Sequence, residues 1–417
     1  MNNTSNTNAN MTNTSLDIPA YLTIHLGDRY VSTVQLIVLN VIYIGIFLSG
    51  TIGNICTCIV IARNRNMHTA TNYYLVSLAV ADLLTLGIAW PPELYSIWEA
   101  YPFRFGGEFC ILKSYIQEGT AYASVLTITA FTVERYVAIC HPLRFQGFSN
   151  LSRSIKVIIA VWLASFSFAL PYALYGKQFY YVLDPNTNEP LEDSLVCSIP
   201  LEYLEMMKII FQVSTFAFFC LPMTIILVMY ILIGITLYNS DMIGDTKSFS
   251  RSSKTSAASN SLGQRNSNHV YDPTKARKSV LKMLVAVVIA FFLCWAPFHS
   301  QRLMTLYITD WTPELHTIQT TLFYISGVLY FVSSTVNPIL YNLMSKKFRQ
   351  ASKKTLCKCC FKKEFSSKAS LFGNGTYRDR PSQYSYSRIS RNGIIQSRST
   401  TLHETSVADI SVHRHHV

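Results

Sequence analysis

Charged residues are scarce in this chain. They make up 14% of its 417 residues, against 50% hydrophobic, and the mean hydropathy is +0.24. A soluble domain carries about 25% charge, so an integral membrane protein is expected. The ten-residue alternation of a transmembrane barrel is missing too. Continuous apolar runs point instead to helices, which satisfy their own backbone groups in lipid. No internal repeat is present, which counts against transporters built from duplicated halves. No metal-ligand cluster or nucleophile constellation stands out, which counts against an enzyme. The first 20 residues are rich in Asn, Thr and Ser, without a basic segment followed by an apolar one. No cleaved signal peptide is therefore expected, and the first apolar run would serve as the insertion signal.

What is present is a set of seven apolar runs, at 35–61, 73–97, 111–138, 155–175, 207–237, 278–303 and 319–343. Each suffices to cross a bilayer, which takes about 20 residues as a helix. Asn54, Asp82, Glu93, Glu118, Glu134, Arg135, Arg302 and Asn337 interrupt them. A charge at membrane depth costs at least about 2.5 kcal/mol unless it faces the bundle interior, so these positions are the functional candidates.

Basic residues set the orientation. Arg63 and Arg65, Arg144, Arg153 and Lys156, Lys275, Arg277 and Lys278, and Lys346, Lys347, Arg349, Lys353 and Lys354 all fall on one side of a seven-crossing bundle. The positive-inside rule makes that side cytoplasmic and the N-terminus extracellular; a multi-pass protein of the plasma membrane is expected. The net charge of +12 is then explained by anionic membrane lipids, without nucleic acid. Asn2, Asn3, Asn10 and Asn13 are Asn-x-Ser/Thr acceptors suited to an extracellular tail, although an Asn/Thr-rich stretch also generates this motif by chance. Cys110 and Cys197 both face the oxidising side, where a disulfide between them can persist and tie a loop over the bundle mouth. Cys357, Cys359 and Cys360 are juxtamembrane candidates for palmitoylation, or else free thiols.

The expected organisation is an extracellular glycosylated tail at 1–35 and a bundle at 36–343. A short cytoplasmic amphipathic helix 8 with its cysteines follows at 344–360, and a disordered cytoplasmic tail at 361–417. Residues 240–274, rich in Ser and Asn, read as a disordered loop. The amphipathic helix over 345–356 is expected to turn Phe348 and Leu356 toward lipid.

Several short motifs occur in successive runs: Gly53-Asn54, Leu78-Ala79-Val80-Ala81-Asp82, Glu134-Arg135-Tyr136, Trp162, Pro222, Cys294-Trp295-Ala296-Pro297 and Asn337-Pro338-Ile339-Leu340-Tyr341. Together they resemble the rhodopsin-like family of G-protein-coupled receptors over about residues 36–360. The resemblance implies an all-α membrane fold of seven transmembrane helices and partners that include a heterotrimeric G protein and arrestin. It implies an activation switch made of Glu134, Arg135, Tyr136, Pro222, Tyr230, Phe291, Trp295, Pro297, Asn337, Pro338 and Tyr341. It also matches Asp82, Ser124, Ser333 and Asn337 to a sodium site, the sole cofactor expected; a polar network of water is the alternative. Prolines within helices free carbonyls and allow kinks, hence hinges. One departure is the absence of an acidic residue at the inner end of the sixth run, where Lys275, Arg277 and Lys278 stand. A cross-bundle lock on Arg135 is therefore not expected.

Further absences narrow the ligand. Phe331 stands where opsins carry their retinal lysine, and Gln117 where amine receptors carry an aspartate. At the mouth the chain offers Glu93, Glu118 and Arg302, with Gln117 and Phe298 as neighbouring candidates. Unbroken helix geometry puts Glu93 three turns outward of Asp82 on nearly the same face, and Arg302 two turns outward of Trp295. Two carboxylates facing one cavity repel unless a cation joins them, and a ligand guanidinium fits. An internal Glu118–Arg302 bridge is the alternative. Residues 72–98, 101–106 (YPFRFG), 115–141 and CWAPFHSQRLM at 294–304 are similar to the neuromedin U receptors and the insect pyrokinin and CAPA (periviscerokinin) receptors. That resemblance implies an amidated peptide ligand ending in Pro-Arg-Leu/Val-amide, and calcium mobilisation through a Gq-like G protein. A receptor for a ghrelin- or neurotensin-like peptide, or an ion or solute transporter, is the competing reading.

Overall fold

The computed structural model describes residues 17–143, 151–252, 273–308, 310–344 and 346–356, with side chains of 240–252, 273–284, 287 and 343–346 left aside. The candidate glycosylation sites Asn2, Asn3, Asn10 and Asn13, the cysteines Cys357, Cys359 and Cys360, and the tail 361–417 lie outside the described residues, as do the side chains of Lys275, Arg277 and Lys278.

After a short helix α1 (Ile18–Leu26), the first span is α2 (Thr33–Arg63). The second combines α3 (Ala70–Leu84), a π turn (Thr85–Ala89) and α4 (Trp90–Trp98). The third is α5 (Gly107–Cys140) and the fourth α6 (Leu151–Tyr175). The fifth joins α7 (Leu204–Thr215), a π turn (Phe216–Cys220) and α8 (Leu221–Ser252). The sixth and seventh are α9 (Pro273–Tyr307) and α10 (Pro313–Met344), and α11 (Lys346–Leu356) follows. Among the described residues, six helical segments are apolar and long enough to cross a membrane. The sixth span packs among them through Phe291, Cys294 and Trp295.

Local chemistry sets the boundaries. Ser32 caps the first span with a capping box to Gln35, which satisfies orphan N–H groups at the helix start. Thr69 caps the second span by accepting from Asn72 N. Both π turns precede prolines, Pro91 and Pro92 in one case and Pro222 in the other. Proline lacks an N–H and its ring collides with the carbonyl four residues earlier, so a widened turn relieves both.

The core is one cluster that includes Tyr43, Leu78, Tyr122, Val125, Phe218, Trp295 and Phe331. Leu48, Ile52, Leu163, Phe216 and Leu293 are exposed on outward faces, where lipid is the solvent. Trp162 Nε1 donates to Ser77 Oγ at 2.9 Å, and Ser77 meets Thr127 at 3.3 Å, joining the second, third and fourth spans.

At one end of the bundle, β1 (Lys177–Tyr180) and β2 (Leu195–Ser198) form an antiparallel hairpin with Gln178 opposite Cys197. The Cys110–Cys197 disulfide expected from the sequence is formed and anchors this hairpin to the third span.

Within the segment expected to be an extracellular tail, residues 18–26 are helical, and Leu22 is buried against Tyr101 and Val182. Two expectations are corrected. Helix α8 continues to Ser252, past the start of the loop expected at 240. Phe348 is buried with Tyr341, Val60 and Met67 rather than facing lipid, while Leu356 is exposed. The inner end of the first span, with Asn64 Nδ2 donating to Thr355 Oγ1 at 2.8 Å, holds α11 close enough to cover Phe348.

Candidate functional site

Glu118 is only 4% exposed. Arg302 grips it from the sixth span with both terminal nitrogens, Nη1 to Oε2 at 3.1 Å and Nη2 to Oε1. This fork-to-carboxylate geometry is the strongest ion pairing available to a side chain. Arg302 Nη1 also donates to Tyr172 Oη at 3.3 Å, and Tyr122 donates to the same oxygen. The guanidinium lies over the rings of Phe298 (4.3 Å), Phe211 (5.0 Å) and Tyr172 (5.5 Å). The internal bridge, left open by the sequence, is thus in place.

Glu93 belongs to a different ionic centre. Its carboxylate lies 3.6 Å from Lys113 Nζ, on the third span, with both side chains about one-fifth exposed. A Cβ added to Gly327 would come within 3.1 Å of Tyr43 Oη and 3.8 Å of a Glu93 oxygen, so the first and seventh spans border this centre. Each of the two carboxylates faces an internal cation of its own, Arg302 for Glu118 and Lys113 for Glu93. The π turn lies between Asp82 and Glu93, and its one extra residue turns everything beyond it by about 100° relative to an unbroken helix. Gln117, adjacent to Glu118, is half-buried on the side of the seventh span, where its carbonyl accepts from Tyr330 Oη at 2.9 Å.

An aromatic series leads inward from Arg302. Phe298 meets Trp295 edge-on at 5.9 Å, Trp295 stacks with Phe291 at 5.8 Å, and Tyr330 contacts both Trp295 and Phe298. His299 is buried, shares a hydrogen bond with Thr215 Oγ1 at 3.1 Å and stacks on Phe219. Beneath Trp295 lies a cavity of about 20 Å³ lined by Asp82, Ser124, Ser333 and Asn337, among others. The four residues matched to a sodium site therefore line one space, large enough for one water-sized occupant. Asn337 Nδ2 donates to Asp82 at 3.3 Å, and Asn54 Nδ2 donates to the Ser334 carbonyl at 2.8 Å. Pro297 and Pro338 lie inside the sixth and seventh spans.

At the opposite end of the bundle, Arg135 Nη2 donates to Glu134 at 2.7 Å, and Ser154 Oγ donates to the second Glu134 oxygen at 3.2 Å. Arg135 Nε is buried with no partner among the described residues. Tyr230 Oη stands 3.5 Å from Thr132 Oγ1, and Tyr136 Oη 3.3 Å from His141 Nε2. Tyr341 is buried against Phe348.

The sequence profile of the rhodopsin family of 7-transmembrane receptors matches residues 53–341. The chain belongs to that family. It is a G-protein-coupled receptor, not an enzyme, and a multi-pass membrane protein. It is 42% identical to the Pyrokinin-1 receptor of Drosophila melanogaster, over 76% of this chain and 79% of the relative. It is 38% identical to the neuromedin U receptor homolog nmur-2 of Caenorhabditis elegans, over 82% of this chain and 84% of the relative. Neuromedin-U receptor 1 of Rattus norvegicus is 38% identical, over 81% and 77% of the two chains.

Sequence reasoning missed Lys113, Tyr172, His299 and the rim network around Glu99. Lys113 sits three residues beyond Cys110, where a lysine ordinarily snorkels to the interface. Its signal was the four-residue spacing to Gln117, which puts both on one helix face. Glu99 accepts from Arg29 (2.8 Å), from Arg104 (3.0 Å) and from Tyr95. Hydrogen bonds from Arg104, Tyr95 and Arg29 hold its carboxyl down to about 2. Arg29 also reaches Asp193 at 3.1 Å, so the N-terminal segment, the 99–106 loop and the hairpin loop share one network.

Proposed function

We propose that this receptor responds to a short amidated peptide of the pyrokinin/CAPA/neuromedin U type, ending in Pro-Arg-Leu/Val-amide. The observation that carries the reading is a pair of carboxylates, Glu93 and Glu118, each held by a displaceable cation beneath the hairpin. The names of the relatives supply the peptide class. The peptide enters from the extracellular side, where the N-terminus and the hairpin lie, with the receptor in the plasma membrane. Its arginine exchanges into Glu93 and Glu118. Replacing one guanidinium by another at Glu118 leaves no bare buried charge, which makes the exchange feasible. The released Arg302 turns to the carbonyls of the amidated end. Because Arg302 lies over Phe298, its motion reaches Trp295 and Phe291 directly. Pro297 is the hinge on which the inner half of the sixth span swings, and Arg135, released from Glu134, meets the G protein.

The cavity beneath Trp295 suits sodium, a hard cation that takes oxygen ligands, with Asp82, Ser124, Ser333 and Asn337 as its donors. Signalling proceeds through a Gq-like protein, with arrestin as the desensitising partner.

Calcium mobilisation in transfected cells tests the reading with amidated peptides varied at the arginine. An arginine-to-alanine peptide is expected to lose at least about tenfold in potency; equal potency would refute the ionic reading. A response confined to a ghrelin- or neurotensin-like peptide would refute the peptide class. Asp82→Asn is expected to abolish any difference in peptide affinity between sodium and choline buffers.

A further inference from the structure

The hairpin is fixed to the bundle at its base. The Cys110–Cys197 bridge ties it to the third span, Phe103 N donates to the Leu195 carbonyl at 2.8 Å, and Gln178 Nε2 donates to the Phe103 carbonyl at 2.8 Å. Its outer loop is held by the N-terminal segment instead. Arg29 reaches Glu99 through Nε (3.2 Å) and Nη2 (2.8 Å), and Asp193 through Nη1 (3.1 Å). One guanidinium thus bridges the outer end of the second span and the hairpin loop. Ala100 N donates to the Arg29 carbonyl at 2.9 Å, Tyr101 Oη donates to the Gly27 carbonyl at 2.9 Å, and Leu22 is buried with Tyr101 and Val182. Gly27, with a φ of 80°, turns the chain out of α1 into this stretch, which then enters the first span at Thr33. Glu93 lies on the helix that ends at Glu99, about 9 Å deeper at 1.5 Å per residue, so the stretch stands outward of the Glu93–Lys113 centre.

We propose that residues 17–32 are a gate: a strap that closes the side of the mouth between the first span, the second span and the hairpin, and that opens to let a peptide pass. The inference rests on the reading that the ligand is a peptide entering from the extracellular side. Two features make the strap separable from the bundle. Its helix has nine residues, too few to be stable by itself. Its apolar grip centres on one buried side chain, Leu22, and its ionic grip is in contact with solvent, the side chains of Arg29 and Asp193 being 25% and 50% exposed. Segments held in this way open at low cost while the rest stays folded. Opening leaves the hairpin base in place, because the disulfide and the two bonds at Phe103 do not involve the strap. The gate has a kinetic signature. A strap that is closed both before and after binding, without gripping the peptide, slows entry and exit by the same factor. That factor cancels from the equilibrium constant.

The test is the association and dissociation kinetics of a labelled peptide ending in Pro-Arg-Leu-amide, on intact receptor in membranes. The receptors are wild type, R29Q, R29K and D193N. R29Q is expected to raise both rate constants together by about fivefold, the strength of a partly exposed ion pair, and to leave Kd within about twofold. R29K keeps the charge but cannot bridge two carboxylates at once, so its rates should fall between those of wild type and R29Q. D193N frees only the half-exposed hairpin arm and leaves Glu99 paired with Arg29 and Arg104; it too should raise both rates in parallel. Should R29Q fail to reach the cell surface, D193N decides alone. Unchanged rates in these variants overturn the proposal. A rise in dissociation alone, with a weaker Kd, overturns it as well, because the strap would then be part of the peptide's binding surface. If wild type shows no saturable binding of the peptide, the peptide reading itself has failed, and this inference falls with it. If wild type binds it and the variants keep the wild-type rates, only the gate has failed.

Discussion

Replacing Glu118 by Gln separates the structural part of the Glu118–Arg302 pair from its part in ligand binding. The carboxylate side chain is 5% exposed and the guanidinium 15%. Without the carboxylate charge, Arg302 keeps one hydroxyl contact, to Tyr172 at 3.3 Å, and the faces of three aromatic rings. Removing one partner of a buried pair costs about 3–5 kcal/mol, because the other charge stays buried without compensation. A Gln oxygen still accepts one hydrogen bond, so a value near 3 kcal/mol is expected. Replacing both partners with apolar residues, as in E118L/R302M, removes the stranded charge and should restore most of that loss. Peptide response, in contrast, should be lost in both. Thermal unfolding of detergent-purified receptor can be followed by labelling of the buried Cys294 thiol, alongside calcium mobilisation in cells. The reasoning is refuted if E118Q unfolds within about 0.5 kcal/mol of wild type, or if the double variant is less stable than either single one. A double variant that is stable and fully responsive would refute the ligand role alone.

Glu99→Gln should release the rim network and speed amide exchange in α1, with little effect deeper in the bundle. The folded carboxyl titrates at about 2, below its ordinary 4.5, so the stabilisation is complete above about 4.5 and is lost as pH falls through 2. The protection of α1 amides, corrected for their intrinsic pH-dependent exchange rate, should therefore be flat from pH 7 to 5 in wild type. Gly119 lets the fourth span approach closely, since an added Cβ would meet the Phe166 ring at 2.7 Å. Gly119→Val should cost about 1–3 kcal/mol in unfolding experiments, the usual penalty of overpacking. Reducing the Cys110–Cys197 bridge, or Cys197→Ser, should loosen the hairpin and raise its hydrogen exchange. A loss of about 2–5 kcal/mol in stability is expected from freeing a loop with a sequence separation of 87.

The seven spans were legible because lipid imposes a length and a hydropathy on each, and the observed helices extend the apolar runs mainly at polar ends. Ser32 and Thr69, which cap two of them, lie outside the apolar runs and carry no hydropathy signal. The N-terminal helix was not legible for a related reason. Its stability comes from Leu22 against Tyr101 and Val182 and from Arg29 against Glu99 and Asp193. Those partners are distant in sequence, so a local reading finds only a polar tail. Phe348 shows the converse error: the amphipathic pattern of α11 is real, but its apolar face meets Tyr341 and Met67 rather than lipid.

The site was legible in residue type but not in phase. Projecting Glu93 from Asp82 along an unbroken helix placed the two on nearly one face, because eleven residues at about 100° each complete close to three turns. The π turn at Thr85–Ala89 invalidates that step and carries Glu93 to Lys113 and the edge of the seventh span. Pro91 and Pro92 were the visible signal, since a proline pair inside a span must be accommodated by some local change in the ladder. Arg302 suffers no such shift, because no widened turn lies between it and Trp295. Its projected position two turns outward is where the structure has it, over Phe298 and within reach of Glu118. A widened turn separates Glu93 from Asp82 and none separates Arg302 from Trp295, so only the second projection can be made from residue spacing alone.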